Sequence, residues 1–127
     1  MAIKFNVIER GRPGVAGGGE KKFYASAQSN GDLTLAGLTR QIERSSTVSG
    51  ADIRAVLYAM VEAMEDALAN GQIVRMGDLG SLRVSLSSNG EETAEAVKGS
   101  SIRNARVIFT PGKAIKNMLG NVSFERA

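Results

Sequence analysis

The stretch that most constrains this chain is Ala69-Asn-Gly-Gln-Ile-Val-Arg-Met-Gly-Asp-Leu-Gly-Ser-Leu-Arg-Val-Ser-Leu86. Asn70-Gly71 is a helix-stop signal, because Asn and Gly accept the left-handed conformation that closes a C-terminus. Ile73-Val74 then starts a strand and Gly77-Asp78 makes a turn. Leu79-Gly80-Ser81-Leu82-Arg83-Val84 opens a second strand, with Leu82, Val84 and Leu86 at period two. A long apolar-periodic run leads into this stretch, and Phe109-Thr-Pro-Gly-Lys-Ala-Ile-Lys116 answers it later.

Composition narrows what such a helix-to-hairpin chain can do. With no Cys there is no disulfide scaffold and no thiolate metal site, and with no His there is no imidazole base or common zinc constellation. No cofactor, metal, catalytic residue or small-molecule substrate is expected, and the chain is read as non-enzymatic. No apolar run approaches the ~20 residues of a membrane span. The first residues, Met1-Ala-Ile-Lys-Phe5, lack a signal-peptide design. A cytoplasmic location with no membrane partner is expected. The 127 residues carry a net charge of only +3, but unevenly: +3 over residues 1–31, −3 over 32–70 and +3 over 71–127. A mildly acidic helical block between basic segments suits a protein that presents one side to a polyanion, and ordinary solvated charge is the alternative.

Along the chain, Ala2–Glu9 alternates Ile3, Phe5 and Val7 against Lys4, Asn6 and Ile8, which predicts a strand. Arg10–Gly19 is a Gly-rich loop, and Lys21–Gln28 alternates again with Phe23, Ala25 and Ala27 on one side. Thr34 is a candidate N-cap for a short helix, Leu35–Arg44. Ser49-Gly-Ala-Asp52 has capping-box spacing for a second helix reaching about Ala69, with a stripe of Ile53, Leu57, Met60, Met64 and Leu68. Ser87–Gly90 is expected as a turn or helix start, Glu91–Val97 as a helical turn, and Ile102–Thr110 as a strand with Arg103, Ala105, Val107 and Phe109 on one face. Pro111 should block strand pairing and open a helix, Pro111–Leu119, closed by Gly120. Asn121–Arg126 is expected as an edge strand paired with the N-terminal hairpin. The predicted organisation is an N-terminal β-hairpin extension, 1–33, packed on a single globular unit, 34–127.

Two smaller motifs bear on function. Gly14 to Lys21 is Gly-rich, but Glu20 separates the last Gly from Lys, Lys22 stands where a P-loop has a hydroxyl, and a strand follows. Nucleotide binding is therefore not expected there. Arg10-Gly11-Arg12-Pro13 resembles the Arg-Gly-Arg-Pro core of AT-hook peptides, which lie in AT-rich minor grooves. Arg10 and Arg12 are candidate minor-groove residues, and a plain loop with two exposed arginines is the alternative.

Three ordered segments resemble the HU/IHF family of histone-like DNA-binding proteins. Ile53–Asn70 with Ala69-Asn-Gly71 is similar to the family's long second helix and its ending. Leu79-Gly-Ser-Leu-Arg-Val84 is similar to its Phe-Gly-Asn/Ser-Phe-x-Val strand, and Phe109-Thr-Pro-Gly-Lys-Ala-Ile-Lys116 matches Phe-x-Pro-Gly-Lys-x-Leu-Lys. The resemblance implies an α+β HU-like fold: a helical hairpin under a β-saddle, an arm excursion and a short C-terminal helix, here with the added N-terminal hairpin. It implies a homodimer with Leu57, Met60, Leu79, Leu82 and Phe109 in a shared core. It also implies a nucleoid-associated, architectural protein whose partner is double-stranded DNA. Ser81 falls where the saddle approaches phosphates, and Lys113 and Lys116 fall on the helix-3 lysines that meet the DNA backbone. Arg75, Arg83, Arg103 and Arg106 are added from their chemistry and their place on or beside the saddle strands.

The departure lies in the arm. Family arms are Lys/Arg-rich with an Arg-Asn-Pro-x-Thr tip, whereas residues 85–108 contain no Pro, and Lys98, Arg103 and Arg106 are balanced by Glu91, Glu92 and Glu95. Phosphate contacts with little base readout are therefore expected. The competing expectation is an HU-fold interaction or structural module that has lost DNA binding, motivated by the neutral arm and the acidic helical block.

Overall fold

The computed structural model describes residues 2–11, 14 and 16–127. Its elements are strands β1 (Ala2–Arg10) and β2 (Lys22–Ala27), helices α1 (Leu35–Ser45) and α2 (Gly50–Ala69), strands β3 (Val74–Arg75), β4 (Gly80–Ser88) and β5 (Ile102–Pro111), helix α3 (Lys113–Asn121) and strand β6 (Ser123–Arg126). This is an α+β chain with two three-stranded sheets, ordered β2-β1-β6 and β3-β4-β5. It divides into two compact units: one holds the N-terminal segment to Leu38 together with Leu119–Ala127, the other is Thr39–Met118.

In the first unit, β1 pairs antiparallel with β2, from Phe5 opposite Ala27 to Arg10 opposite Lys22. It pairs in parallel with β6, from Ala2 opposite Ser123 to Phe5 opposite Arg126. The expected final strand therefore forms and joins the N-terminal hairpin. Alternation sorts the side chains as the sequence predicts: Ile3, Phe5, Val7, Phe23, Ala25 and Ala27 share one face with Phe124. The other face carries Lys4, Asn6, Ile8 and Arg10 with Lys22, Tyr24 and Ser26.

In the second unit, α2 begins and ends as its sequence dictates. Ser49 Oγ accepts the Asp52 N–H at 3.3 Å, satisfying one orphan donor of the first turn. Gly50 leaves room for the Glu43 side chain of α1, which a Cβ there would strike. At the other end the Gly71 N–H donates to Leu68 at 3.0 Å and the Gln72 N–H to Ala67 at 2.9 Å. With Gly71 at φ +78°, this is a Schellman closure. Between these caps, Ile53 is the one large apolar side chain buried among the described residues, at 5% exposure. Leu57, Met64 and Leu68 are half-buried, while Val56, Tyr58, Met60 and Val61 lie open.

The hairpin that follows is tied to the start of α3. The Met76 N–H donates to Gly80 at 2.8 Å across the Gly77-Asp78 turn; Gly112 N–H reaches Leu79 O at 3.0 Å and Ala114 N–H reaches Asp78 O at 3.1 Å. Two glycines make this approach possible. A Cβ on Gly112 would lie 2.5 Å from Asp78 O and 2.7 Å from Gly77 O. Gly80, buried and at φ +140°, would press a Cβ into the Thr110 carbonyl and within 2.8 Å of Phe109 Cε1.

Several expectations need correction. Pro111 does not open the helix but ends β5 opposite Gly80, a strand terminus where its missing N–H breaks no ladder. The helix begins at Lys113, and the Lys116 N–H donates to Gly112 O at 3.0 Å, so Gly112 provides the first carbonyl. Gly120 does not close α3, which continues to Asn121. The expected turn or helix start at Ser87–Gly90 does not begin at Ser87, because Ser87 and Ser88 are still paired in β4. Glu91–Val97 forms no α-helical run: one 3-10 turn, Ala94–Ala96, precedes another at Gly99–Ser101. Glu91, at the start of that run, is bonded to the Ser101 hydroxyl across the link.

Gly80→Ala should lower unfolding free energy by about 2–4 kcal/mol in urea titrations, combining unfavourable φ with two close contacts. Gly71→Ala, with nothing within 4 Å of the built Cβ, should cost only about 1 kcal/mol, the left-handed penalty alone.

Candidate nucleic-acid interface

Register in the second sheet decides which predicted residues act together. Leu82 lies opposite Phe109, Val84 opposite Val107 and Leu86 opposite Ala105; the alternate rungs are Ser81 with Thr110, Arg83 with Ile108, Ser85 with Arg106 and Ser87 with Asn104. Strand β3 adds Val74 to the apolar face, opposite Leu82, and Arg75 to the polar one, opposite Ser81. Arg75, Ser81, Arg83 and Arg106 thus share a single face with Thr110. Three guanidinium groups and a row of hydroxyls on one twisted ribbon can neutralise and hydrogen-bond the oxygens of a phosphate chain.

Where this face meets α3 there is a notch of about 240 Å³ lined by Arg75, Gly77, Gly80, Ser81, Thr110, Pro111 and Gly112. The glycine contacts that lock the hairpin onto α3 also shape the notch. Lys113 and Lys116, both exposed, occupy the first turn of α3, which has no acidic residue. Cations at a helix N-terminus oppose the macrodipole by roughly 0.3–1 kcal/mol each. The local choice is therefore unfavourable for the helix and concentrates positive potential beside the notch.

Arg103 is not brought into this array. The ladder steps from Ser87–Asn104 to Ser88–Ile102 with an irregularity between Ser87 and Ser88, so Arg103 is the extra residue of a bulge. Bulges break the period of two, and the expected face of Arg103, Ala105, Val107 and Phe109 holds only for the last three. Arg10 ends β1 in the other unit, opposite Lys22, and Arg12 lies outside the described residues.

Sequence reasoning missed Ser101, 2% exposed at the base of the arm loop. Its hydroxyl accepts the Lys98 N–H at 3.2 Å and donates to Glu91 Oε1 at 2.9 Å. Its backbone N–H reaches Lys98 O at 2.9 Å, and its carbonyl takes the Asn89 N–H at 2.7 Å. The link between β4 and β5 is thus closed by one serine, with Glu91 held to its hydroxyl. No local pattern signals this, because Ser101 and Glu91 meet only once the strands are paired. Thr110 was also missed, although the alternation of β5 puts it on the side away from Phe109; its place opposite Ser81 comes from the register.

Of the expected dimer-core residues, Leu57 and Leu82 are half-buried, while Met60, Leu79 and Phe109 are 43, 47 and 46% exposed. Beside Met60 an apolar groove of about 280 Å³ runs between α2 and β3, lined in part by Met64, Ala67, Ile73 and Val74. No group of three or more His, Cys, Asp or Glu that could hold a metal occurs among the described residues. No helix among them is long and apolar enough to cross a membrane.

The model of a family described as an HU domain fused to wHTH, Ig, or a glycine-rich motif matches residues 1–126. The chain belongs to this HU-HIG family. Among solved structures it is similar to a provisionally assigned bacterial DNA-binding protein from Bacteroides vulgatus, with a TM-score of 0.63 and 17% identity over 98% of this chain and 48% of that one. The likeness is one of fold, and this chain spans about half the length of that protein. No curated protein matches the sequence.

Ser101→Ala should leave the Lys98 N–H without its hydroxyl acceptor and Glu91 without its donor. A loss of about 1–3 kcal/mol local to the arm is expected. In hydrogen exchange, the amides of Asn89 and Lys98 should speed up while those of Leu82 and Val84 stay unchanged.

Proposed function

We propose that the chain binds double-stranded DNA as a homodimer, without sequence preference and mainly through phosphates, as a non-enzymatic architectural protein of the nucleoid. The observation that carries this reading is the sheet register, which puts Arg75, Ser81, Arg83 and Arg106 on one face beside the Lys113–Lys116 turn. Family membership and the fold it shares with a provisionally assigned DNA-binding protein support it. Dimerisation is supported by the apolar surface that one chain leaves open on α2 and on the β4–β5 ribbon, including Val56, Met60, Val61, Leu86, Val107 and Phe109. Burying such side chains contributes roughly 1.5–3 kcal/mol each, and a second copy is the partner the family resemblance implies.

A second reading, an HU-fold interaction module without DNA binding, is favoured by the arm loop. Its acids Glu91, Glu92 and Glu95 stand where family arms carry cations, and Glu91 is fixed to Ser101.

Fluorescence anisotropy on a ~30 bp duplex across a salt series separates the two. Binding with a log–log salt slope of about −3 or steeper is expected, from roughly 0.9 per neutralised phosphate. Arg75→Gln with Arg83→Gln should weaken every duplex alike and flatten the slope by about 2. Lys113→Glu with Lys116→Glu should abolish duplex binding at physiological salt. Absence of binding by the parent at low salt would select the interaction module. Multi-angle light scattering should give twice the 13.4 kDa chain mass.

A further inference from the structure

We propose that the polar face of the N-terminal sheet, around Arg10, Lys22 and Tyr24, is a separate contact site for single-stranded DNA. It would hold a phosphate between the two cations and an unpaired base against the tyrosine ring. The inference goes beyond the duplex reading, since none of these residues lies in β3, β4, β5 or α3.

Three observations converge. First, Arg10 lies directly opposite Lys22 in the β1–β2 ladder. Like charges on a shared rung repel, and neither has an ion-pair partner among the described residues. An anion relieves that repulsion. Second, the next rung on the same face is Ile8 opposite Tyr24, and the one after it Asn6 opposite Ser26. A cation pair, a half-open aromatic ring (41% exposed) and a hydroxyl therefore follow one another along the ribbon, each about 6.7 Å from the last. Third, a hollow of about 270 Å³ is lined by Ile8, Arg10, Gly11, Tyr24, Ala25 and Ser26. Gly11 at its rim lies so close to Gly18 that a Cβ would be 2.8 Å from Gly18 Cα.

The hollow is smaller than the roughly 300–1,000 Å³ of pockets that enclose a small molecule, which favours part of a polymer over a free ligand. Cations tracking a backbone beside an aromatic platform are the chemistry of single-strand binding. In a duplex the bases are stacked and paired, so a side chain can lie on a base face only where the strand is open.

The test uses the full chain and a labelled oligothymidylate of about 12 nucleotides. Tyr24→Ala should weaken its binding about 5-fold or more, whereas Tyr24→Phe, which keeps the ring, should stay within about 2-fold of the parent. Arg10→Gln with Lys22→Gln should weaken it about 10-fold and flatten the salt slope by about 0.7, the value for one single-strand phosphate. The chain has no Trp, so Tyr24→Trp places a single tryptophan in the site, and its emission should be quenched as the oligonucleotide is added. Unquenched Trp emission, parental affinity for Tyr24→Ala, or an equal loss from Tyr24→Phe would overturn the proposal. Duplex binding by the Arg75→Gln/Arg83→Gln variant reports on the saddle alone, so either site can fail while the other stands.

Discussion

The second unit depends on a close approach of backbone to backbone. The Gly77-Asp78 turn sits against the start of α3 because Gly80 and Gly112 each lack the one carbon that would keep them apart. Through that contact, two motifs about thirty residues apart in sequence become one object. Gly77-Asp-Leu-Gly-Ser81 supplies the turn and the first rung of β4, and Phe-Thr-Pro-Gly-Lys supplies the last rung of β5 and the first helical carbonyl. The polar notch, the direction of α3 and the position of Lys113 all follow from it. Any side chain at either glycine would have to shift main chain, which is far stiffer than a rotamer.

Much of this was legible in the sequence where a local rule and the tertiary outcome agree. The Thr34 cap, the Ser49 cap and the Asn70-Gly71 closure are decided within a few residues, and the structure shows Gly37 N–H on Thr34 Oγ1 at 3.1 Å as well as the α2 closures. The alternation of β1, β2, β4 and most of β5 gave the faces correctly. Errors arose where a distant partner overrode a local preference. Pro111 reads as a helix opener, yet it is claimed by Gly80 across the ribbon. Glu91–Val97 has helical composition, yet Glu91 is bonded to Ser101 across the link and only 3-10 turns form. The position of Arg103 was lost to a bulge, which leaves no trace in composition. At the candidate interface, Arg75, Ser81, Arg83 and Arg106 could be singled out by type, but only the register shows that they share a face.

The arm shows how the same ribbon can end in different chemistry. Rungs from Gly80 to Ser87 carry cations and hydroxyls on one face; beyond the bulge, acids dominate, and one of them, Glu91, is held by a buried serine hydroxyl. Positive potential is therefore concentrated at the base of the ribbon and beside the first turn of α3, and a polyanion lying along the face meets attraction that fades toward the tip. The like-charged rung at Arg10 and Lys22 is a second local conflict, in the other unit. In both places the sequence departs from what would stabilise the isolated element, as sites that act on ligands commonly do.

Parallel pairing of β1 with β6 has a mechanical consequence. Ala2 starts one strand and Arg126 finishes its neighbour, with the Ala127 N–H bonded to Phe5 O at 2.9 Å. Tension drawn outward through the two chain ends would slide these strands along each other, so the rungs are loaded together instead of opening one after another. A chain held in that way resists pulling in shear where a hairpin loaded from its two open ends would unzip. The short β6 thus acts as a clasp on the N-terminal sheet.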